Sequence, residues 1–140
     1  MKRILLSYAG CDAGRIGPLL KSLEHPDLEI ETCRADAAPQ DLRGDAAQAF
    51  RQELGRKVAR TGITVCLIGE ETHKDPWVAA HLEKSFQKGS RIIFMALPGV
   101  REARLPEFPQ ARRLVFYPWD PARLIRLIIE EQGKLFNNAP

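Results

Sequence analysis

The feature that most constrains this chain is a pair of short apolar runs with one amphipathic stretch between them. Ile63-Thr64-Val65-Cys66-Leu67-Ile68 stops at Gly69, and a second run begins at Ile92 and continues to Leu97. Nearly continuous apolar runs of this length read as strands covered on both faces, the habit of parallel sheets. Between them a polar turn, Glu70 to Lys74, leads into Asp75-Pro76-Trp77, and a helical pattern then runs to Lys88-Gly89. Asp75 can cap the free N–H groups of that helix while Pro76 presets its first φ angle. Residues 63 to 93 therefore predict one βαβ unit, with a polar turn at the carboxyl end of its first strand.

The flanking sequence continues the alternation. A first strand is expected over about residues 3 to 8, then a helix with Pro18 in its first turn that ends near Glu24-His25-Pro26. Leu28 to Cys33 alternates apolar and polar residues, so this second strand has one wet face and belongs at an edge. Arg34 to Gly44 reads as a loop. The next helix spans about Asp45 to Arg60, with Phe50, Leu54 and Val58 as its buried stripe and Glu53–Lys57 as a pair on its wet face. Pro98 to Gln110 holds three prolines and reads as an extended connection to a final strand, Leu114 to Tyr117. Asp120-Pro121 repeats the capping signal and opens a last helix reaching about Phe136. Five strands alternating with helices predict an α/β fold with a parallel sheet and right-handed crossovers. All 140 residues fit one domain, and a chain of that size buries roughly 70% of its unfolded surface.

Composition narrows the function classes. No apolar run approaches the ~20 residues of a membrane-spanning helix. Met1-Lys2-Arg3 leads directly into Ile4-Leu5-Leu6, too short for a signal-peptide core, so a cytoplasmic location is expected. The three cysteines, Cys11, Cys33 and Cys66, cannot all pair and suit a reducing compartment. Cys11 lies in the loop after the first strand, but no adjoining His or Lys lowers its pKa. No Cys/His spacing supports a metal site. The net charge of +3 comes from arginines late in the chain, and no nucleic-acid motif accompanies it, so a nucleic-acid partner is not expected.

The wording of the central unit resembles the TIR-like family of flavodoxin-like fold, especially the TIR-like subunit of Thoeris antiphage defence. The resemblance rests on Val65-Cys66-Leu67-Ile68-Gly69, Thr72, Trp77-Val78, Lys84-Ser85, Lys88-Gly89 and Ile92-Ile93. A first strand ending in Ser7-Tyr8, followed by Asp12, matches it too; the likeness covers roughly Arg3 to Leu97. It implies a three-layer sandwich, a single TIR-like domain over 1–140, and a five-stranded parallel sheet of order 2-1-3-4-5. In such a sheet the ligand crevice lies outside the carboxyl ends of strands one and three. The candidate binding residues there are Ser7, Tyr8, Asp12, Gly69, Thr72 and Trp77. A response-regulator receiver is excluded, because its phosphoacceptor Asp would stand where Gly69 stands. A flavodoxin's hydroxyl-rich phosphate loop has only a faint echo in Ser7-Tyr8-Ala9-Gly10. A nucleoside deoxyribosyltransferase also places a Glu near this sheet end.

The family implies cleavage or cyclisation of NAD to an ADP-ribose-type signal, with NAD as substrate or ligand and no further cofactor. Breaking the nicotinamide–ribose bond develops positive charge on the ribose carbon, which a carboxylate stabilises. Active relatives carry that Glu four residues after the Trp, and here the position holds His81. By helix phase, with Val78, Leu82 and Phe86 as the core stripe, His81 should sit between core and crevice and Glu83 on the opposite flank. A neutral imidazole can accept a hydrogen bond from a ribose hydroxyl but offsets no positive charge. Glu70 or Glu71 could supply a carboxylate instead. The other reading is a non-catalytic module that binds a nucleotide or assembles with proteins. The implied partners are an effector that senses ADP-ribose and a second copy of the chain.

Overall fold

The computed structural model describes residues 2–105 and 116–129. Strands β1 (Lys2–Ser7), β2 (Leu28–Thr32), β3 (Ile63–Ile68), β4 (Arg91–Ala96) and β5 (Phe116–Tyr117) form one sheet. Its order is β2-β1-β3-β4-β5, and every neighbouring pair is parallel. Helices α1 (Ala13–Leu20), α2 (Asp45–Thr61), α3 (Pro76–Gln87) and α4 (Pro121–Ile129) connect and flank the strands. This is the flavodoxin-like three-layer sandwich expected from the sequence.

Period-two alternation places the core on both faces of the sheet. Ile4, Leu6, Val65, Leu67, Ile93 and Met95 pack with Ile16 of α1 and with Leu124 and Ile128 of α4. Their neighbours Cys66, Ile68, Ile92 and Phe94 pack instead with Val78 and Leu82 of α3. Strands β3 and β4 are therefore buried above and below, as continuous apolar runs require. β2 lies at an edge, and its exposed Glu29 pairs with Arg3 at 3.5 Å. Gly62 closes α2 with φ at 75°, the left-handed conformation that lets the chain turn straight into β3.

Both Asp-Pro signals cap as expected: Asp75 accepts from the N–H of Trp77 at 2.8 Å, and Asp120 from that of Arg123 at 3.0 Å. Other local expectations are corrected. Pro18 lies well inside α1 rather than in its first turn, because a short 3-10 turn over Gly10–Asp12 hands over to the helix at Ala13. Gly14, whose carbonyl Pro18 leaves unpaired, is exposed and can be hydrated. Lys57 does not pair with Glu53 on a wet face. It is buried and donates to the Thr32 carbonyl at 3.0 Å, while Glu53 takes Arg56 at 2.9 Å. In α3 the inward residues are Val78, His81, Leu82 and Ser85, and Phe86 is exposed. That set follows the i, i+3, i+4, i+7 rule of a core stripe. Inside it the Ser85 hydroxyl meets that of Thr64 at 2.8 Å, so neither is left unsatisfied. Leu114, Val115 and the expected end of α4 near Phe136 lie outside the described residues. No helix among the described residues is long and apolar enough to cross a membrane.

Candidate functional site

A cavity of about 370 Å³ opens at the carboxyl end of the sheet. That volume lies within the range of about 300–1,000 Å³ typical of small-molecule sites. One wall is the turn after β1, from Ser7 to Cys11. The opposite wall is the start of α3, from Asp75 to Val78, with His81 one turn deeper. Phe50 and Leu54 of α2 and the segment around Pro39 close the remaining side.

A single carboxylate holds the two main walls together. Asp75 caps α3 with one oxygen and accepts from the Gly10 N–H at 3.1 Å with the other. Trp77 fixes the third wall. Its indole N–H donates to the Pro39 carbonyl at 2.8 Å, and its ring stands edge-on to Phe50 with centroids 4.9 Å apart. The Arg51 guanidinium lies over the same ring at 5.2 Å.

The structure brings Ser7, Tyr8, Trp77 and His81 together on this cavity and places Asp12, Gly69, Thr72 and Glu70 off it. The cause is close packing between the two turns. A methyl group added to Gly69 would stand 2.3 Å from the Asp12 carboxylate, so no hollow exists at that point. Thr72 is buried and accepts from the Gly69 N–H at 2.7 Å. Asp12 caps no helix; its carboxylate meets Arg15 at 3.1 Å. The exposed Glu70 meets the same guanidinium at 2.9 Å, and its own backbone N–H and Arg15 hold its carboxyl below the usual range. The hollow is consequently displaced from the β3 turn toward β2, where Cys33 and Ala35 line it.

His81 is 1% exposed, not at a boundary as helix phase suggested. Burial, and next the charge of Lys57, push its imidazole down to about 4. It is neutral at physiological pH. Its Nε2 has no hydrogen-bond partner, and neither has the Ser7 hydroxyl, which is also 1% exposed. Two buried polar atoms from opposite walls of one cavity are thus left without protein partners, a costly arrangement unless a ligand or water supplies them. Tyr8 is nearly buried, and desolvation raises its phenol, so it remains protonated.

The wall carries two carboxylates, Glu71 and Asp75. Asp75 is committed to backbone N–H groups, and Glu71 is exposed beside Lys74 at 3.4 Å. Cys11 is exposed at the rim; burial of its thiol and then Asp12 and Asp75 raise its pKa, so thiol rather than thiolate predominates. Among the described residues no group of three His, Cys, Asp or Glu is placed to hold a metal ion.

Sequence reasoning missed Pro39, Cys33 and the cavity role of Phe50 and Leu54. Their signal was faint. Ala35, Ala37 and Ala38 before Pro39 mark a segment small enough to pack against a sheet end, yet the same composition suits any loop.

Comparison with known proteins bears on this site. The family model for the TIR-like domain of Thoeris protein ThsB matches residues 6–102. No curated protein sequence matches significantly. Among solved structures, the CMP N-glycosidase BcmB of Clostridium botulinum is similar in fold, with a TM-score of 0.54 and 13% identity. The likeness covers 89% of this chain and 96% of that one.

Proposed function

The chain belongs to the TIR-like domain family of Thoeris protein ThsB, and from that premise we propose that its cavity takes NAD or a related nucleotide in antiphage defence. The observation that carries this reading is the pair of buried atoms without protein partners, Ser7 Oγ and His81 Nε2, on opposite walls of one cavity. A ribose or phosphate presents the donors and acceptors they lack. The flanking walls of Phe50, Trp77 and Val78 suit a flat ring. The glycosidase BcmB, which shares the fold, is described as acting on CMP, a nucleotide.

In this reading the cleavage step is slow. His81 occupies the helix position from which a Glu would face the ribose, and a neutral imidazole offsets no oxocarbenium charge. Glu70 is turned away to Arg15, and Asp75 is held by backbone N–H groups, so neither replaces it. The buried neutral histidine equally favours the second reading, a domain that binds its nucleotide without turnover. An effector protein that senses an ADP-ribose-type product, and self-association, are the partners this family reading implies.

The test combines binding and turnover of NAD by the full chain and by His81→Glu. The expected result is saturable binding to both, with nicotinamide release faster in His81→Glu by about 10²-fold, the usual weight of one electrostatic stabiliser. Absence of binding by either protein refutes the ligand class. Equal turnover by both refutes the role given to His81.

A further inference from the structure

We infer that the ligand is a dinucleotide of which only one nucleoside enters the cavity, while the other lies outside it, in a hollow walled by Arg101, Glu102 and Arg104. The inference rests on the nucleotide reading above and carries its site past the cavity mouth.

The cavity holds about 370 Å³, near the lower end of the roughly 300–1,000 Å³ range of small-molecule sites. A dinucleotide is a pair of nucleosides joined through a diphosphate. With one ribose beside His81 and its ring against Phe50 and Trp77, a cavity of that size is occupied, and the diphosphate must leave by the mouth.

The mouth leads into a second, more open hollow. Glu71 and Lys74 line both, so the turn Thr72–Lys74 is a ridge shared by the two. Across that ridge stand Arg101, Glu102 and Arg104, from the segment that follows β4. Gly99 turns this segment, with φ at 84°, and the Val100 N–H closes the turn on the Leu97 carbonyl at 3.2 Å. Arg15 donates to the Pro98 carbonyl at 3.2 Å and to Glu70 at 2.9 Å. One guanidinium thus fastens the outer wall to the turn after β3.

The charges of the second hollow match what a dinucleotide leaves outside the first. Glu70 is answered by Arg15, and Glu71 by Lys74 at 3.4 Å. Among the described residues Arg101 and Arg104 have no carboxylate within 4.0 Å, and Glu102 has no cation within that distance. Each guanidinium can take phosphate oxygens on its forked donors. The Glu102 carboxylate can accept from the hydroxyls of the outer ribose. A mononucleotide would reach the ridge and leave these three groups to water.

Titration calorimetry on the full chain at low salt compares NAD with its two halves, nicotinamide mononucleotide and AMP. The expected result is that NAD binds about tenfold or more tighter than the better half, the weight of one hydrogen bond to a charged group. In the double variant Arg101→Ala/Arg104→Ala that margin disappears, while the better half keeps its affinity within about twofold, because distant exposed charges are screened. Both arginines are exposed, so their loss leaves the fold intact. The control Lys21→Ala/Lys88→Ala removes the same charge from exposed positions beyond the carboxyl ends of α1 and α3, at the other end of the sheet, and keeps the margin. Equal affinity of NAD and its better half overturns the inference and leaves the nucleotide reading standing. A margin that survives loss of both arginines overturns it too, because the second nucleoside then lies elsewhere. A margin lost equally in the lysine control also overturns it, because net charge and not contact is then responsible. Failure of all three ligands to bind overturns the nucleotide reading itself.

Discussion

The buried imidazole of His81 makes the stability of this protein depend on pH in a calculable way. In the unfolded chain the group takes up its proton near 6.5, whereas in the native protein it does so only near 4. Below pH 6.5 the unfolded state therefore binds more protons, and protonation favours unfolding. The stabilisation is fully present above that value and drains away as pH falls toward 4. A difference of this size amounts to about 2 kcal/mol lost between pH 7.5 and pH 5, and about 3 kcal/mol once pH 4 is reached. Urea unfolding of the wild type and of His81→Gln at pH 7.5, 6 and 5 isolates this contribution, because every other titrating group is common to both. His81→Gln starts from its own stability at pH 7.5, so only the slopes are compared. The wild type should lose about 2 kcal/mol more than the variant across that interval. Slopes that coincide within about 0.5 kcal/mol would show that the imidazole is not sequestered, given the extrapolation error of such measurements. The cavity would then need redrawing.

Two further outcomes follow from packing. Gly69→Ala drives a methyl group into the Asp12 carboxylate, which Arg15 holds in place; chemical denaturation should record a loss of about 1–3 kcal/mol. Thr64→Val and Ser85→Ala should each cost about 1–2 kcal/mol by orphaning the other's hydroxyl, while the double variant costs little more than either single one. Additive losses in that cycle would argue against the 2.8 Å bond between them.

The architecture was legible because its signals are local. Two apolar runs, two Asp-Pro caps and alternation in β2 each specify one element, and parallel pairing follows from the intervening helices. The site was legible only in part. Ser7, Tyr8 and Trp77 come from the ends of elements the pattern locates, and the cavity gathers them. Gly69 and Thr72 come from an equally well-placed turn, but the side chain of Asp12 fills the space between the turns. Only three-dimensional packing shows that. The phase of α3 was misjudged for a related reason. Phe86 is the larger apolar residue and seemed the better core member, yet Thr64 on β3 offers Ser85 a hydroxyl, and the helix turns that face inward. Lys57 was read as wet because it stands four residues from Glu53. The carbonyl it reaches, at Thr32, is twenty-five residues away in sequence, and no local pattern reports it.

The Asp75 side chain, bonded at once to the start of a helix and to Gly10, makes the rim of the hollow a single mechanical part. Displacing either lip must strain or break that shared junction. A guest that wedges the β1 turn outward would therefore draw the amino end of α3 with it, along with the indole and the imidazole that helix carries. Occupancy of the pocket and the posture of its histidine are in this way yoked through one short acidic side chain.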